Sequence, residues 1–183
     1  VGLGISTPFG LVTEYDKTWV GRYHAVTSDV MTININPSMA YRINELFSVG
    51  VGFNVQYMEA ELSSMTDFGL IARSLNGALP ASIVSNPQAD IYGALKGDSW
   101  SYGYNLGLLY MPSQDTRLGL AYRSQVKHSL KGDASFTQQD PAYLSGLGLA
   151  ATASAMFANQ KINADITLPA SCSLSLYHRF APD

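Results

Sequence analysis

Large apolar and small polar side chains alternate residue by residue through most of this chain. A chain so patterned can only fold as strands whose two faces meet different surroundings. The stretch "ININPSMAYRINELFSVGVGFNVQY", residues 33–57, shows the alternation on both sides of a turn at 43–46. Ile33, Ile35, Met39, Tyr41, Phe47, Val49, Val51, Phe53, Val55 and Tyr57 share one parity. Asn34, Asn36, Ser38, Arg42, Ser48, Gly50, Gly52, Asn54 and Gln56 share the other. Six segments behave this way, about 1–13, 29–42, 47–57, 100–111, 117–130 and 166–178. In the first, Val1, Leu3, Ile5, Phe9 and Leu11 oppose Gly2, Gly4, Ser6 and Gly10. In the fifth, Leu118, Leu120, Tyr122 and Val126 oppose Arg117, Gly119, Ala121, Arg123, Gln125 and Lys127. In the sixth, Ile166, Leu168, Ala170, Cys172, Leu174 and Leu176 oppose Thr167, Ser171, Ser173 and Ser175.

The composition of the second face decides which way the strands look. In a soluble barrel the apolar face points inward, and the other meets water and carries Lys, Glu and Asp. Here the other face is Gly, Asn, Ser, Thr and Gln with a few Arg and Lys, and charged residues are only 14 % of the chain, against roughly 25 % in a typical soluble domain. That suits a shared polar lumen, so the apolar face points at lipid. Aromatic residues at the strand ends (Tyr41, Phe47, Tyr110 and Tyr177 at one end, Tyr57 and Trp100 at the other) read as interfacial girdles. The connections at 43–46 and 112–116 are tight, and 178–183 reads as the start of another turn; those at 14–28, 58–99 and 131–165 are long. Short and long connections at opposite ends mark an all-β fold, an antiparallel up-and-down transmembrane β-barrel. The whole of 1–183 reads as a single partial barrel domain, a piece of something longer, because "VGLGIST" begins inside a strand pattern.

Two of the long loops carry short-helix signals rich in apolar residues. In "SSMTDFGLIARSLNG", Met65, Phe68, Ile71 or Ala72, and Leu75 recur at helical spacing before an Asn76-Gly77 stop. In "NPQADIYGALKG", Asn86 is placed to cap, Pro87 to start and Gly97 to end a helix, and Asp140-Pro141 opens a third over "DPAYLSGLGLAATASAMFA". Such helices must pack on something or bind something.

Other classes are poorly supported. A net charge of −3 with no basic cluster gives no footprint for nucleic acid. No run of about 18 strongly apolar residues reads as a transmembrane helix. Cys172 reads as a small buried hydrophobe. His24, His128 and His178 stand in no metal-ligand or nucleophile spacing, so neither an enzyme nor a metal or cofactor site is expected.

Four stretches, "GLGISTPFGLVTEYDKTWVGRY", "ININPSMAYRINELFSVGVGFNVQY", "WSYGYNLGLLYMPSQDTRLGLAYRSQVKHSLKG" and "ITLPASCSLSLYHR", resemble the outer-membrane long-chain fatty acid transporter family (FadL type), whose members also take up aromatic hydrocarbons. The resemblance implies a fourteen-stranded, monomeric barrel in the bacterial outer membrane, plugged by an N-terminal hatch, of which this chain is an internal six-stranded portion. It implies passive transport of hydrophobic small molecules, with fatty acid, hydrocarbon or detergent and outer-membrane lipid as the partners. The alternative is a non-transporting barrel such as an adhesin or structural porin.

The resemblance also places sites. Ligand would be captured in a groove lined by Met65, Phe68, Leu70, Ile71, Leu75, Ile83 and Val84 of one loop, and by Tyr143, Leu144, Leu147, Met156 and Phe157 of the other. It would leave sideways through a kinked strand at Pro8, Phe9 and Gly10, where proline lacks a ladder donor and glycine has no side chain to pack. Where the family sets a basic residue for a carboxylate, this chain reads "YMEAELSS", with Glu59, Glu61 and Ser64. Arg123 and Lys127 are the remaining lumenal cations.

Overall fold

A computed structural model describes residues 1–180. Its nine strands form one antiparallel sheet: β1 (Gly2–Ser6), β2 (Gly10–Glu14), β3 (Thr27–Arg42), β4 (Phe47–Thr66), β5 (Ile91–Tyr110), β6 (Thr116–Arg123), β7 (Val126–Gln138), β8 (Gln160–Leu168) and β9 (Ser171–His178). They amount to six passes of the chain. β1 and β2 are two halves of the first and both pair with β3; β3, β4 and β5 follow unbroken. β6 and β7 are halves of the fifth pass and both pair with β5, while β9 pairs with β6 and β8 with β7. Each pass lies beside the next, so the topology is up-and-down. The turn expected over 178–183 lies partly outside the described residues.

The polar parity lines the concave side. Asn34, Asn36, Ser38, Gly50, Asn105, Gly107, Arg123 and Ser173 border a hollow of about 730 Å³. The other side bears Ile5 at 71 % exposure, Met39 at 58 %, Tyr102 at 63 % and Leu174 at 78 %, among many more. An apolar face of that extent would drive aggregation in water, so its solvent is lipid. Aromatic pairs mark the edges of the band: Phe47 stacks on Tyr110 with centroids 4.7 Å apart, and Tyr57 meets Trp100 at 5.2 Å. The ten steps along the strand from Phe47 to Tyr57 rise about 33 Å, and a tilt of about 40° brings that near the ~25 Å apolar band of outer-membrane barrels. Cys172 lies opposite Tyr122 on this outer face and is exposed, so the expectation of a buried thiol is corrected.

Several expected boundaries move, for one physical reason. β4 and β5 run on past the girdle to Thr66 and Ile91, so the loop expected over 58–99 shrinks to 67–90. β3 starts at Thr27, and β7 and β8 shorten the loop expected over 131–165 to 139–159. Alternation persists above the membrane with its polarity inverted. The outer side there carries Glu59, Glu61, Lys96 and Asp133, with Lys96 Nζ 3.0 Å from Glu59 Oε1 and Lys161 Nζ 2.7 Å from Asp133 Oδ1, while Met58, Ala60 and Leu62 turn inward. Once water replaces lipid outside, the charged parity belongs there.

A packed core sits in the loops. α1 (Phe68–Leu75) is capped by Asp67, whose carboxylate accepts from the Leu70 N–H at 2.8 Å. α2 (Pro141–Gly146) is capped by Asp140, and α3 (Ala150–Met156) follows a turn in which Gly148 takes φ +69°, a conformation glycine tolerates best. Phe68, Ala72, Ile83, Ala89, Ile91, Leu144 and Ala153 are buried together. The helix expected from Asn86 to Gly97 is corrected: Asn86 caps only a single 3₁₀ turn, Pro87–Ala89, and Ile91 already pairs with Thr66. Pairing along β4 outweighs the local cap signal.

Labels on the full-length protein test the faces. At Ile33, Val51 and Leu120 they should report lipid, and at Asn34, Gly52 and Ala121 water or protein; one environment for both sets would refute the orientation.

Candidate functional site

Two seams interrupt the wall at nearly one height. At the first, Ser6 lies opposite Asn34 and Gly10 opposite Met31, so four steps on the first pass answer three on β3. The one extra residue falls in Thr7-Pro8-Phe9. Thr32, fully buried, fills the break: its hydroxyl accepts from the Phe9 N–H at 3.0 Å and donates to the Phe9 carbonyl at 2.8 Å, and its own N–H donates to that carbonyl at 3.0 Å. The slip also exchanges faces. Leu11 pairs with Val30 on the inner side and Val12 with Asp29 on the outer, so the expected continuous apolar face of 1–13 is corrected. Replacing Thr32 with Val should strand the Phe9 N–H and cost about 1–3 kcal/mol, read as a lower unfolding temperature of the full-length barrel.

At the second seam, Arg123 lies opposite Asn105 and Lys131 opposite Asp98, eight steps against seven. Side chains again stand in for the ladder. The Tyr104 N–H donates to Ser124 Oγ at 2.9 Å, and Ser101 Oγ donates to the Lys127 carbonyl. His128, buried, bridges Ser99 Oγ at 2.8 Å and Gln56 Oε1 at 3.1 Å. The sixth pass breaks in step, since Arg123 faces Ser171 and Val126 faces Leu168. Beyond this seam Val126, His128 and Leu130 are buried on the inner side and Lys127 is exposed on the outer. Lys127 therefore lies on the outer face, which corrects the inner position expected for it, and Arg123 lies on the inner face. Ile166 and Leu168 likewise turn inward, whereas Cys172, Leu174 and Leu176 face lipid.

The seams divide the inner wall into two zones. Below them lies an asparagine network. Asn34 Nδ2 and Asn36 Nδ2 each donate to Asn54 Oδ1 at 3.0 Å, and Asn36 Nδ2 also donates to Asn105 Oδ1 at 2.7 Å. Gly52 makes room for it, as a Cβ there would stand 2.6 Å from Asn105 Oδ1. Above the seams Ala60, Leu62, Leu95, Leu130, Ile162, Ala164 and Ile166 line a hollow of about 90 Å³ that is almost wholly apolar. Sequence reading missed this zone, although the alternation "MEAEL" at 58–62 signalled it.

The loop residues expected to line a groove fall into two groups. Phe68, Ile83 and Leu144 are completely buried and Met65 is 3 % exposed, so they hold the two loops together. Ile71, Val84, Tyr143, Leu147 and Phe157 pack half-buried against that cluster, with Phe68 edge-on to Phe157 at 6.1 Å. Leu70, Leu75 and Met156 present apolar surface to solvent. Asn86 Nδ2 donates to Tyr143 Oη at 3.0 Å and Gln88 Nε2 to Asp140 Oδ2 at 3.2 Å, joining one loop to the other.

A buried ion pair anchors this assembly to the loop after β2. Arg22 Nε donates to Asp90 Oδ2 at 2.7 Å, Arg22 Nη2 to the Ser85 carbonyl at 3.0 Å, and the Tyr23 hydroxyl to Asp90 Oδ1 at 3.0 Å. Burial pushes the Asp90 carboxyl up against the pull of Arg22 and Tyr23, and burial beside Asp90 pushes the Tyr23 phenol up to about 12. Asp90→Ala would leave Arg22 buried without a counter-charge and should cost about 3–5 kcal/mol, seen as rapid protease cleavage of the loops.

The model of the outer membrane protein transport protein family (OMPP1/FadL/TodX) matches residues 1–183. The chain belongs to this family. It is 34 % identical over 190 residues to the long-chain fatty acid transport protein of Escherichia coli O6:H1, a match covering 99 % of this chain and 42 % of that protein. A crystal structure of a Pseudomonas aeruginosa FadL homologue superposes with a TM-score of 0.79 at 26 % identity, covering 98 % of this chain and 41 % of that one. The Ralstonia pickettii toluene transporter TbuX superposes with a TM-score of 0.65 at 20 % identity, covering 98 % of this chain and 47 % of that one, which shows a shared fold. The chain thus spans less than half the length of the relatives it matches. Like other members of the OMPP1/FadL/TodX family, it is part of an outer-membrane β-barrel, and the two free edges of its sheet need further strands to satisfy their backbone groups in lipid.

Proposed function

We propose that the protein containing this wall is a passive outer-membrane transporter for hydrophobic compounds, long-chain fatty acids or related hydrocarbons. Ligand is captured on the exposed apolar surface of the loop assembly, at Leu70, Leu75 and Met156, and moves down to the apolar inner zone. It leaves sideways through the seam at Pro8, Phe9 and Gly10. One observation carries this reading: a one-residue slip interrupts the wall just where an apolar inner surface gives way to a polar one. An apolar ligand descending the lumen meets asparagines ahead and lipid beside it, and the seam is the shorter way out of water.

Burial of apolar surface supplies the binding energy, at about 25 cal/mol per Å². Each added methylene, at about 0.8 kcal/mol, should therefore tighten binding about fourfold. Uptake of dilute labelled oleate and toluene by cells making the full-length protein tests the reading. Uptake above that of cells without it is expected, and none with a correctly assembled barrel would favour a non-transporting porin or adhesin.

A further inference from the structure

Towards the long-loop end, the outer face of β4, β5, β7 and β8 is a grid of charges. Lys96 pairs with Glu59 at 3.0 Å and Glu61 at 3.6 Å, and Lys161 with Asp133 at 2.7 Å. Two lysines of β7 take no part in this. Lys127 and Lys131 are exposed on the outer face, and neither makes an ion pair with any described residue. Four residues along a strand set them about 13 Å apart. Lys131 lies opposite Asp98, beyond the girdle residue Trp100. Lys127 stands lower, since its carbonyl accepts from Ser101 Oγ, on the membrane side of Trp100. An ammonium at that height lays its stem along the wall and carries its head up to the headgroup layer. Between the two lysines stands Ser129, with Asp165 directly across on β8. Trp100, 56 % exposed, flanks them on β5. Asp98 and Asp165 likewise make no ion pair with any described residue.

We infer that the outer face from Lys127 to Lys131 is a docking surface for a glycolipid that carries a phosphate at each end of a sugar core. Long loops mark the extracellular end of an outer-membrane barrel, so this surface meets the outer leaflet. Basic side chains at that level take anionic headgroups. Each lysine offers three donors and a full charge to one phosphate. The ground between them suits a sugar: Asp98 and Asp165 accept from hydroxyls, Ser129 donates or accepts, and Trp100 offers an apolar ring. A phospholipid carries one phosphate and would answer one lysine, not two. The surface is on the outside of the wall, so its role does not depend on the transport reading.

The test compares diphosphoryl lipid A, its dephosphorylated form and phosphatidylglycerol as ligands of the purified full-length barrel in detergent, with bound lipid counted by native mass spectrometry. The wild type should prefer diphosphoryl lipid A to the dephosphorylated form at least about tenfold, as gain of a charge-assisted pair does. Lys127→Gln with Lys131→Gln should erase that preference, and each change alone should remove part of it. Arginine at both positions should keep it. Ser129→Glu sets a repelling charge between the lysines while leaving both in place, and it should weaken the diphosphoryl form selectively even if the double variant assembles poorly. An unchanged preference in the assembled double variant, or equal loss of both forms of lipid A in Ser129→Glu, would overturn the surface. Phosphatidylglycerol bound as tightly as diphosphoryl lipid A would mean general attraction of anionic lipid, and competition by inorganic phosphate at the lipid's own concentration would mean a simple anion site. Either result also overturns it.

Discussion

Deleting Pro8 from the full-length protein should close the wall and cut uptake of dilute oleate by more than about tenfold, as a barrier raised by ~1.4 kcal/mol would. The first seam exists because the first pass has one residue more than β3 between Ser6 and Gly10. Removing one residue lets β1 and β2 share a single register without moving either. Thr7 would then face Ile33 on the outer side and Phe9 would face Thr32 on the inner. The barrel should be no less stable, because a ladder replaces the hydroxyl bridge now made by Thr32. The double substitution Pro8→Thr, Gly10→Val is an informative contrast. It restores a donor and adds a side chain where nothing lies within 4 Å of a Cβ, but it keeps the extra residue, so the slip should persist and uptake should fall less. Full uptake by the deletion variant, with hydrogen exchange showing a closed ladder, would mean that ligand leaves by another route, most simply downward through the lumen.

Charge on the exposed face of the loop assembly should have the second largest effect. Leu70, at 55 % exposure, and Leu75, at 69 %, stand on α1, with Met156, at 49 %, on α3. Aspartate at each should reduce capture of dilute ligand while leaving the loops folded, since no packing is lost. Phe68→Asp tests the opposite case. Phe68 is completely buried, and an unpaired carboxylate there should cost several kcal/mol, so the loops should become protease-sensitive. If the exposed substitutions left uptake unchanged while Phe68→Asp abolished it, the loops would act as a rigid lid and not as a capture surface.

The sequence by itself determined the strands, the tight turns, the girdles and the assignment of the apolar face to lipid. Each rests on local alternation or composition that no distant contact can reverse: Phe47 and Tyr57 mark the band whatever lies beside them. The helix start at Asp140 was legible for the same reason, a short side chain capping its own next turn. The tertiary structure alone decided where the parity slips. One inserted residue changes no composition, and apolar residues flank the slips on both sides, so Leu11, Val126 and Ile166 read as lipid-facing until their partners across the sheet are known. The same slip carries Lys127 to the outer face and leaves Arg123 on the inner one. Burial within the loops was equally hidden, because whether Phe68 or Leu70 meets solvent depends on Leu144 and Ala153, more than seventy residues away along the chain. Alternation states that a strand has two faces; only the register with its neighbour states which residue is on which.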